Sequence, residues 1–549
     1  LAEERMKIDS ILGKISKNEL LNSKGTKRLF FITAFILIFL RILSYAWCSD
    51  DAFHIYTMAK NLLAGNGFTP TPGLRVNVAT CPLWALIVVF GMIFWNNPYA
   101  IGMIFNLLFS GIALFLLFRL IYKKDNWFIV LVLVTAMLCL SRTYLSYTTS
   151  GLENALILLL STLYLEVFFK NEYFSKKELF KIALLEGLIA FTRMDCAMIF
   201  SLTSAYVFLF KYKKDESDSA CFSWKKLIPV IPIAVAGLSP FIFWESFSLF
   251  YYGSFVPNTA LAKLNTGFPL SDYIERGVWY TIKTGVWDGL ILVLPFCFVL
   301  YVGKEFLKKY KINKFFLVVF GILFYSCYII YIGGDFMKGR HFLTLFWIAL
   351  FSFVQIKADF RMFFIRLCVL FTVMFCIVAV LFVNRTTREY FTNLVNNAPR
   401  GFFDEQDHYF NNTGLRKVVS DYMKHGKVTI ILNCPNRGIQ WFYNNKSSYE
   451  YRLYDPLLSR LPAIYHPKWR IGHMERKMPE GYQKTLDTGE NHIEDADLAF
   501  YYSKLKFIIS GDLLDWKRIK EILKFNNGVY ERYLESYIER KNLKYLDRF

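Results

Sequence analysis

Apolar runs long enough to cross a lipid bilayer recur along this chain, and they limit its architecture more than any other feature. A helix needs roughly 17 to 25 mostly apolar residues to span the hydrocarbon. The first such run, "LFFITAFILIFLRILSYAW", extends from Leu29 to Trp47. Because backbone in lipid must satisfy its own polar groups, a series of these runs implies a bundle of helices. Composition agrees: 55 of the 549 residues are phenylalanine and 55% are hydrophobic, well above the share in an ordinary soluble enzyme. The expected fold is a polytopic α-helical membrane protein.

The first run carries Arg41 and no small-residue cleavage site follows it, so it reads as a retained helix rather than a signal peptide. Residues 1–28 hold Arg5, Lys7, Lys14, Lys17, Lys24, Lys27 and Arg28, which places that segment on the cytoplasmic side. The basic connectors "RLIYKKD", "KNEYFSKKELFK", "KYKKDESDSACFSWKK", "KEFLKKYKINK" and "KADFRMFFIR" fall on the same side for one set of spans. These are 29–47, 99–119, 127–141, 152–169, 182–193, 196–210, 227–250, 286–302, 315–331, 341–356 and 362–383. About eleven spans result, with the carboxyl terminus outside. The segment 182–193 is short for a crossing, so 182–210 is expected to form a bent hairpin. "CPLWALIVVFGMIFW" is also short, and reads as a helix lying along the outer interface.

These readings divide the chain into a cytoplasmic segment (1–28), a transmembrane domain (29–384) whose first external loop is 48–98, and a polar region (385–549). That region is long enough for a soluble α/β or mixed domain outside the cytoplasm. The protein is expected in the cytoplasmic (inner) membrane, with its C-terminal domain periplasmic or extracellular. The net charge of +20 is mostly explained by the cytoplasmic connectors, so no nucleic-acid partner is implied. Of the cysteines outside the spans, Cys48, Cys81 and Cys434 show no paired spacing.

Five polar motifs interrupt apolar sequence: "SDDAFH" (49–54), "SRTYLSYTTSGLENA" (141–155), "FTRMDCA" (191–197), "YYGSFVPNTALAK" (251–263) and "YIGGDFMKGRH" (331–341). On the topology above, all five open to the outer face. Charged residues at membrane depth cost about 2.5–3.5 kcal/mol each on insertion scales, and they usually pair or line a pathway. Asp50, Asp51, Glu153, Asp195 and Asp335 can act as bases or hold a divalent cation, with Asp50, Asp51 and Asp335 the possible metal ligands. Arg193, Lys263, Lys338, Arg340 and His341 can hold an anionic head group. Trp47, Trp84, Tyr251 and Tyr252 suit an interface or a sugar face, and Asn258 is a further site candidate. Acids beside phosphate-binding groups at a membrane rim point to a lipid-phosphate substrate. The plainer alternatives are that Asp195 and Arg193 cap broken helices, and that the Asp50–Asp51 pair caps the helix after it. No G-x-x-x-x-G-K-[ST] loop, H-E-x-x-H helix or G-x-S-x-G elbow occurs, which disfavours ATP-driven transport and serine or zinc hydrolysis.

In order along the chain, "SDDAFHIYTMAKNLLAGNGFTPTPGLRVNVATCPLW", "TSGLENALILLL", "FTRMDCAMIF", "YYGSFVPNTALAK", "YIGGDFMKGRHFLTL" and "GFFDEQDHYFNNTGL" resemble segments of the GT-C superfamily of integral-membrane glycosyltransferases. Within it they are most similar to a bacterial family related to cell-wall arabinofuranosyltransferases. The tail "DPLLSRLPAIYHPKWRIGHMERKMPEGY" is similar as well. Met194 stands where that family has proline and Cys196 where it has glycine, while His341 replaces an apolar residue. The resemblance implies transfer of a sugar, including the pentofuranose arabinofuranose as a candidate, from a polyprenyl-phosphate donor to an envelope glycan or other hydroxyl acceptor. Transfer would occur on the outer face and invert the anomeric carbon. One of Asp50 and Asp51, with Asp50 favoured by its first-acid position, would be the general base. Lys338, Arg340 and Lys263 would meet the leaving phosphate. The competing readings are a lipid-linked sugar flippase, which would spread polarity through the bilayer depth and often shows repeated halves, and a non-catalytic membrane scaffold.

Overall fold

The computed structural model describes residues 23–212, 224–309, 313–356, 402, 404–412, 414–425, 428, 455–465, 469, 471 and 474–543. The first helices are α1 (Lys24–Ser44), α2 (Ala52–Leu63), α3 (Pro82–Phe94), α4 (Pro98–Tyr122), α5 (Trp127–Leu140) and the short α6 (Arg142–Tyr147). There follow α7 (Asn154–Lys170), α8 (Lys176–Thr192), α9 (Met194–Phe210), α10 (Trp224–Tyr252) and α11 (Asn258–Leu264). The series continues with α12 (Leu270–Trp287), α13 (Gly289–Lys309), α14 (Lys314–Tyr331) and α15 (Phe342–Gln355). Every segment expected to span up to residue 356 meets a helix, and the expected span at 362–383 lies outside the described residues.

Among the described residues, four helices are long and apolar enough to cross a membrane: Pro98–Tyr122, Ile228–Tyr252, Gly289–Lys308 and Lys314–Tyr331. Others are shorter. The 13 residues of α3 extend about 20 Å, less than the ~30 Å hydrocarbon core. The segment expected at 182–193 belongs to a longer helix, because the Ser175–Glu178 capping box starts α8 at Lys176. Extended backbone at Arg193 separates α8 from α9, so 176–210 is a sharp helical hairpin. The expected span 286–302 instead straddles a break at Asp288. That carboxylate accepts from Ser141 Oγ and Thr143 N, each at 2.8 Å, and so fixes the start of α6.

The core is centred on α15, which is buried on all sides from Phe342 to Val354, as expected of a helix apolar around its whole circumference. It packs against α7 and α13, with Trp347 Nε1 donating to Thr162 Oγ1 (2.7 Å) and its ring stacked 5.9 Å from Tyr144. Where α8 crosses α10, a Cβ on Gly237 would fall 2.8 Å from the Leu184 backbone nitrogen. Only glycine permits that approach.

The described residues of the polar C-terminal region divide among three clusters, the smallest packing Ala463, Trp469, Ile471 and Met474 against Tyr273. Phe402, Phe410, Leu415, Val418 and Val419 pack into the main helical body, next to α16 (Leu415–His425). A second core contains Leu457, Tyr482, Leu498, Tyr501, Leu505 and Leu534. Its helices are α17 (Tyr482–Thr488), α18 (Ala496–Ser510), α19 (Trp516–Asn526) and α20 (Glu531–Arg540). An α/β or mixed domain is expected here, but the described residues are helical and contain no strand. The two bodies are joined by polar bonds to backbone: Arg75 N donates to Ile509 O (2.9 Å), and Arg476 Nη2 to Ala262 O (2.7 Å).

Candidate functional site

The ends of four structural segments meet at one place. Asp51 occupies the N-cap position of α2, yet its side chain makes no capping hydrogen bond. Glu153 holds the same position on α7, again without capping it. Arg193 lies in the α8–α9 break, and Asp335, Arg340 and His341 occupy the turn-rich link from α14 to α15. Glycine makes two of these approaches possible. Gly151 has φ +75°, and a Cβ there would lie 2.6 Å from Tyr56 Oη; Gly339 has φ +79°, and its Cβ would lie 2.5 Å from Thr143 Oγ1.

Glu153, 1% exposed, is the hub. Its Oε1 accepts from Arg193 Nη1 (3.2 Å) and from Arg340 Nη2 (3.1 Å). Arg193 also grips Asp195 with two bonds, Nε to Oδ1 (3.1 Å) and Nη2 to Oδ2 (2.6 Å), and lies 3.1 Å from His341 Nδ1. Tyr325 Oη donates to Asp195 Oδ2 (2.8 Å). On the other side of the His341 ring, Nε2 lies 3.5 Å from Asp335 Oδ2, while Asp335 Oδ1 accepts from Phe336 N (2.7 Å). Buried charges are tolerated in this way, paired and hydrogen-bonded.

Toward solvent the pairing loosens. Arg340 Nη1 lies 3.6 Å from Asp51 Oδ2, and the Asp51 side chain is 38% exposed. Arg340 Nε is buried and has no hydrogen-bond partner, and Nη1 donates to the weak acceptor Met337 Sδ at 3.2 Å. A guanidinium with a spare buried donor facing an exposed carboxylate can take an anion on one side and a proton donor on the other.

Glu405, absent from the sequence-derived site residues, closes this mouth. Its Oε1 accepts from Ser49 Oγ, and Ser49 Oγ accepts from Asp51 N (3.2 Å). Its Oε2 is buried without a partner. Burial, then the Asp51 charge, pushes the Glu405 carboxyl well above the usual range. Asp335 moves the other way: burial works to raise it, but Lys263, His341 and Arg340 outweigh that and hold it well below. Neighbouring bonds fix the Glu405 segment. Gln406 Nε2 donates to Tyr45 O (3.0 Å), and Trp287 Nε1 donates to Asp404 Oδ2 (3.2 Å).

The expected residues therefore separate into groups. Asp51, Glu153, Arg193, Asp195, Asp335, Arg340 and His341 form one network, and Lys263 acts on it through Asp335. Asp50 is half-buried beside Asp51, and its carbonyl accepts from Phe53 N (3.2 Å). Lys338 is half-buried; burial lowers its proton affinity and Asp404 acts against that shift. Tyr252 and Asn258 lie elsewhere, in a small cleft with Arg75 and Arg460. There Tyr252 Oη donates to Phe68 O (2.5 Å) and Asn258 N to Asn77 O (2.7 Å). Of the aromatics, Trp47 and Trp84 are buried and hold backbone, donating to Ser146 O in α6 (2.7 Å) and to Gly151 O just before α7 (3.0 Å).

Among the described residues, no group of three or more His, Cys, Asp or Glu side chains is placed to hold a metal ion. Asp51 Oδ2 lies 3.6 Å from Arg340 Nη1 and Asp335 Oδ2 lies 3.5 Å from His341 Nε2, so each of these acids faces a nitrogen of the protein rather than a second carboxylate. Ser49, Asp288, Tyr325 and Glu405 carry polar contacts here that sequence reasoning missed. Ser49 lies within "SDDAFH" and Glu405 within "GFFDEQDHYF", segments that stand out as wholes and not through these two residues. No family model, curated protein or solved structure matches this chain.

Proposed function

We propose that the protein is an integral-membrane glycosyltransferase of the GT-C kind, moving a sugar from a polyprenyl-phosphate donor to a hydroxyl acceptor. The observation that carries this reading is the pair at the mouth of the network: Arg340, with a buried and unused Nε donor, and the exposed carboxylate of Asp51 3.6 Å from its Nη1. An acid and an anion-binding group side by side suit a displacement in which one group departs as phosphate and another arrives as alcohol. Asp51 is the preferred base over Asp50, because it is the acid that faces Arg340.

In this reading the acceptor oxygen attacks the anomeric carbon as its proton passes to Asp51. The bond between the anomeric carbon and the phosphate oxygen breaks, and its electron pair leaves with the polyprenyl phosphate. Arg340 stabilises that charge as it develops, with Lys338 and Lys263 adding positive potential. Glu153 holds the Arg340 fork in position. The configuration at the anomeric carbon inverts.

Purified protein given polyprenyl-phosphate pentose or hexose donors and a glycan acceptor should form a new glycosidic bond and release polyprenyl phosphate in equal amount. Lipid movement across liposomes without bond formation would overturn the reading in favour of a flippase.

A further inference from the structure

The C-terminal body rests on the end of α10. Arg518 Nη1 and Nη2 donate to Phe250 O and Tyr251 O, each at 2.9 Å, and Asn526 Nδ2 donates to Gly253 O (2.8 Å). Arg518 and Asn526 lie near opposite ends of α19, so α19 lies across the last turn of α10. Ile228–Tyr252 is long and apolar enough to span a membrane, and Ile228, Ile231, Val235 and Ile242 along it are exposed. One side of it therefore faces outward, Phe243 being 73% exposed. The exposed apolar surface continues past its end in Phe255 and Val256. A helix bonded to the terminal carbonyls of such a span sits at the height of the lipid head groups.

The outer surface of α19 matches that position. Arg518, Ile522 and Phe525 form its buried face. Away from that face, Trp516 is 64% exposed, and Leu514 in the preceding turn is 83% exposed, the highest value of any large apolar residue described. Leu523 is exposed as well. Lys517 and Lys520 flank these residues, with Lys520 Nζ 6.0 Å from the Trp516 ring. The nearby acids have other tasks: Asp515 caps α19 through Lys517 N (2.8 Å), and Asp512 interacts with Arg75. Exposed leucine and tryptophan beside lysine form the pattern that seats a helix in an interface, about 5–10 Å into the boundary between head groups and acyl chains.

We infer that Leu514, Trp516 and the exposed face of α19 form a membrane anchor for the C-terminal body. Its occupant is the bilayer that surrounds α10, with anionic phospholipid head groups meeting Lys517 and Lys520. The inference is independent of the proposed reaction and uses only the span in α10.

The test places a bimane fluorophore at Leu514→Cys in full-length protein whose other reactive cysteines are replaced, reconstituted in phosphatidylcholine nanodiscs. Two further labelled variants calibrate it: Phe243→Cys on the bare face of α10, and Glu494→Cys in the loop before α18. Brominated acyl chains should quench the dye at 514 to a similar degree as at 243, and aqueous iodide should quench it less than at 494. Adding brominated phosphatidylglycerol should deepen the quenching at 514, and Lys517→Gln/Lys520→Gln should abolish that increment. If iodide reaches 514 and bromine does not, the surface faces water and the anchor is overturned. If neither reaches it, another segment of the chain covers it, and the anchor is overturned in that case too. Equal quenching with and without phosphatidylglycerol overturns the contact between lysine and anionic lipid.

Discussion

The two ends of the buried charge network use the same residue types to opposite effect. At the inner end, Arg193 is distributed over Asp195, Glu153 and His341, and Tyr325 completes Asp195. At the outer end, Arg340 keeps a donor unused, Asp51 is partly open to solvent, and Glu405 carries an oxygen without a partner. A satisfied cluster fixes helices, whereas a partly satisfied one leaves valences for a ligand. The difference lies in the remaining bonding capacity rather than in which residues are charged.

Glu153 joins the two ends, so its loss should have the largest effect. Glu153→Gln leaves two buried guanidiniums without their shared carboxylate and should cost about 3–5 kcal/mol of stability, read as a large fall in thermal midpoint in detergent together with loss of activity. If stability stays normal, the inner end is not structural and the contrast fails. Asp51→Asn should reverse that pattern, with turnover down about 100- to 10,000-fold and thermal midpoint almost unchanged. Near-normal turnover would move the base to Asp50. Arg340→Lys keeps the charge but loses the fork, so donor KM should rise about tenfold or more, in line with a charge-assisted bond lost, while acceptor KM stays put.

The smallest effect concerns pH. Glu405 has a carboxyl pKa raised in the folded state, so the folded protein holds its proton longer than the unfolded chain does. Stability should therefore decline as pH rises from the unfolded value near 4.3 toward the raised one, by up to about 1.4 kcal/mol per pH unit. Glu405→Gln should remove this decline, and thermal midpoints between pH 5 and pH 8 should run flatter than in the unmodified protein. Asp335, held low, carries the opposite sign: its contribution is present above the unfolded value near 3.9 and is lost on acidification. Asp335→Asn should flatten only the acid side of the same curve.

The buried charges of the network were legible in the sequence because charge is conspicuous against an apolar background. Glu153, Arg193, Asp335 and Arg340 each stand within or beside apolar sequence, where an unpaired charge is expensive, so their convergence could be anticipated before their partners were known. Glu405 lies in polar sequence where one more acid attracts no notice, and its burial depends on long-range packing. The break at Asp288 was missed for a related reason: hydropathy runs smoothly from Val286 into α13, and the acid that interrupts it answers to α6, far away in the chain. Tyr252 and Asn258 share a motif with Lys263, yet line a separate cleft together with Gly253 (φ +80°). In the C-terminal body α19 and α20 are strongly amphipathic whereas α18 is not, and a polar region long enough for a core does not announce its class.

The bond from Ser49 to Glu405 joins residues 356 positions apart, and that from Gln406 to Tyr45 spans 361. A ribosome makes the first partner of each pair early and the second only after α15 has been completed. The acids after α1 thus wait through most of synthesis for the segment that closes over them, and a chain interrupted before residue 402 would hold Asp51 and Arg340 without the lid that buries Ser49. Assembly of the mouth is a late event in the life of each new molecule, set by the order of the gene rather than by the strength of any single contact.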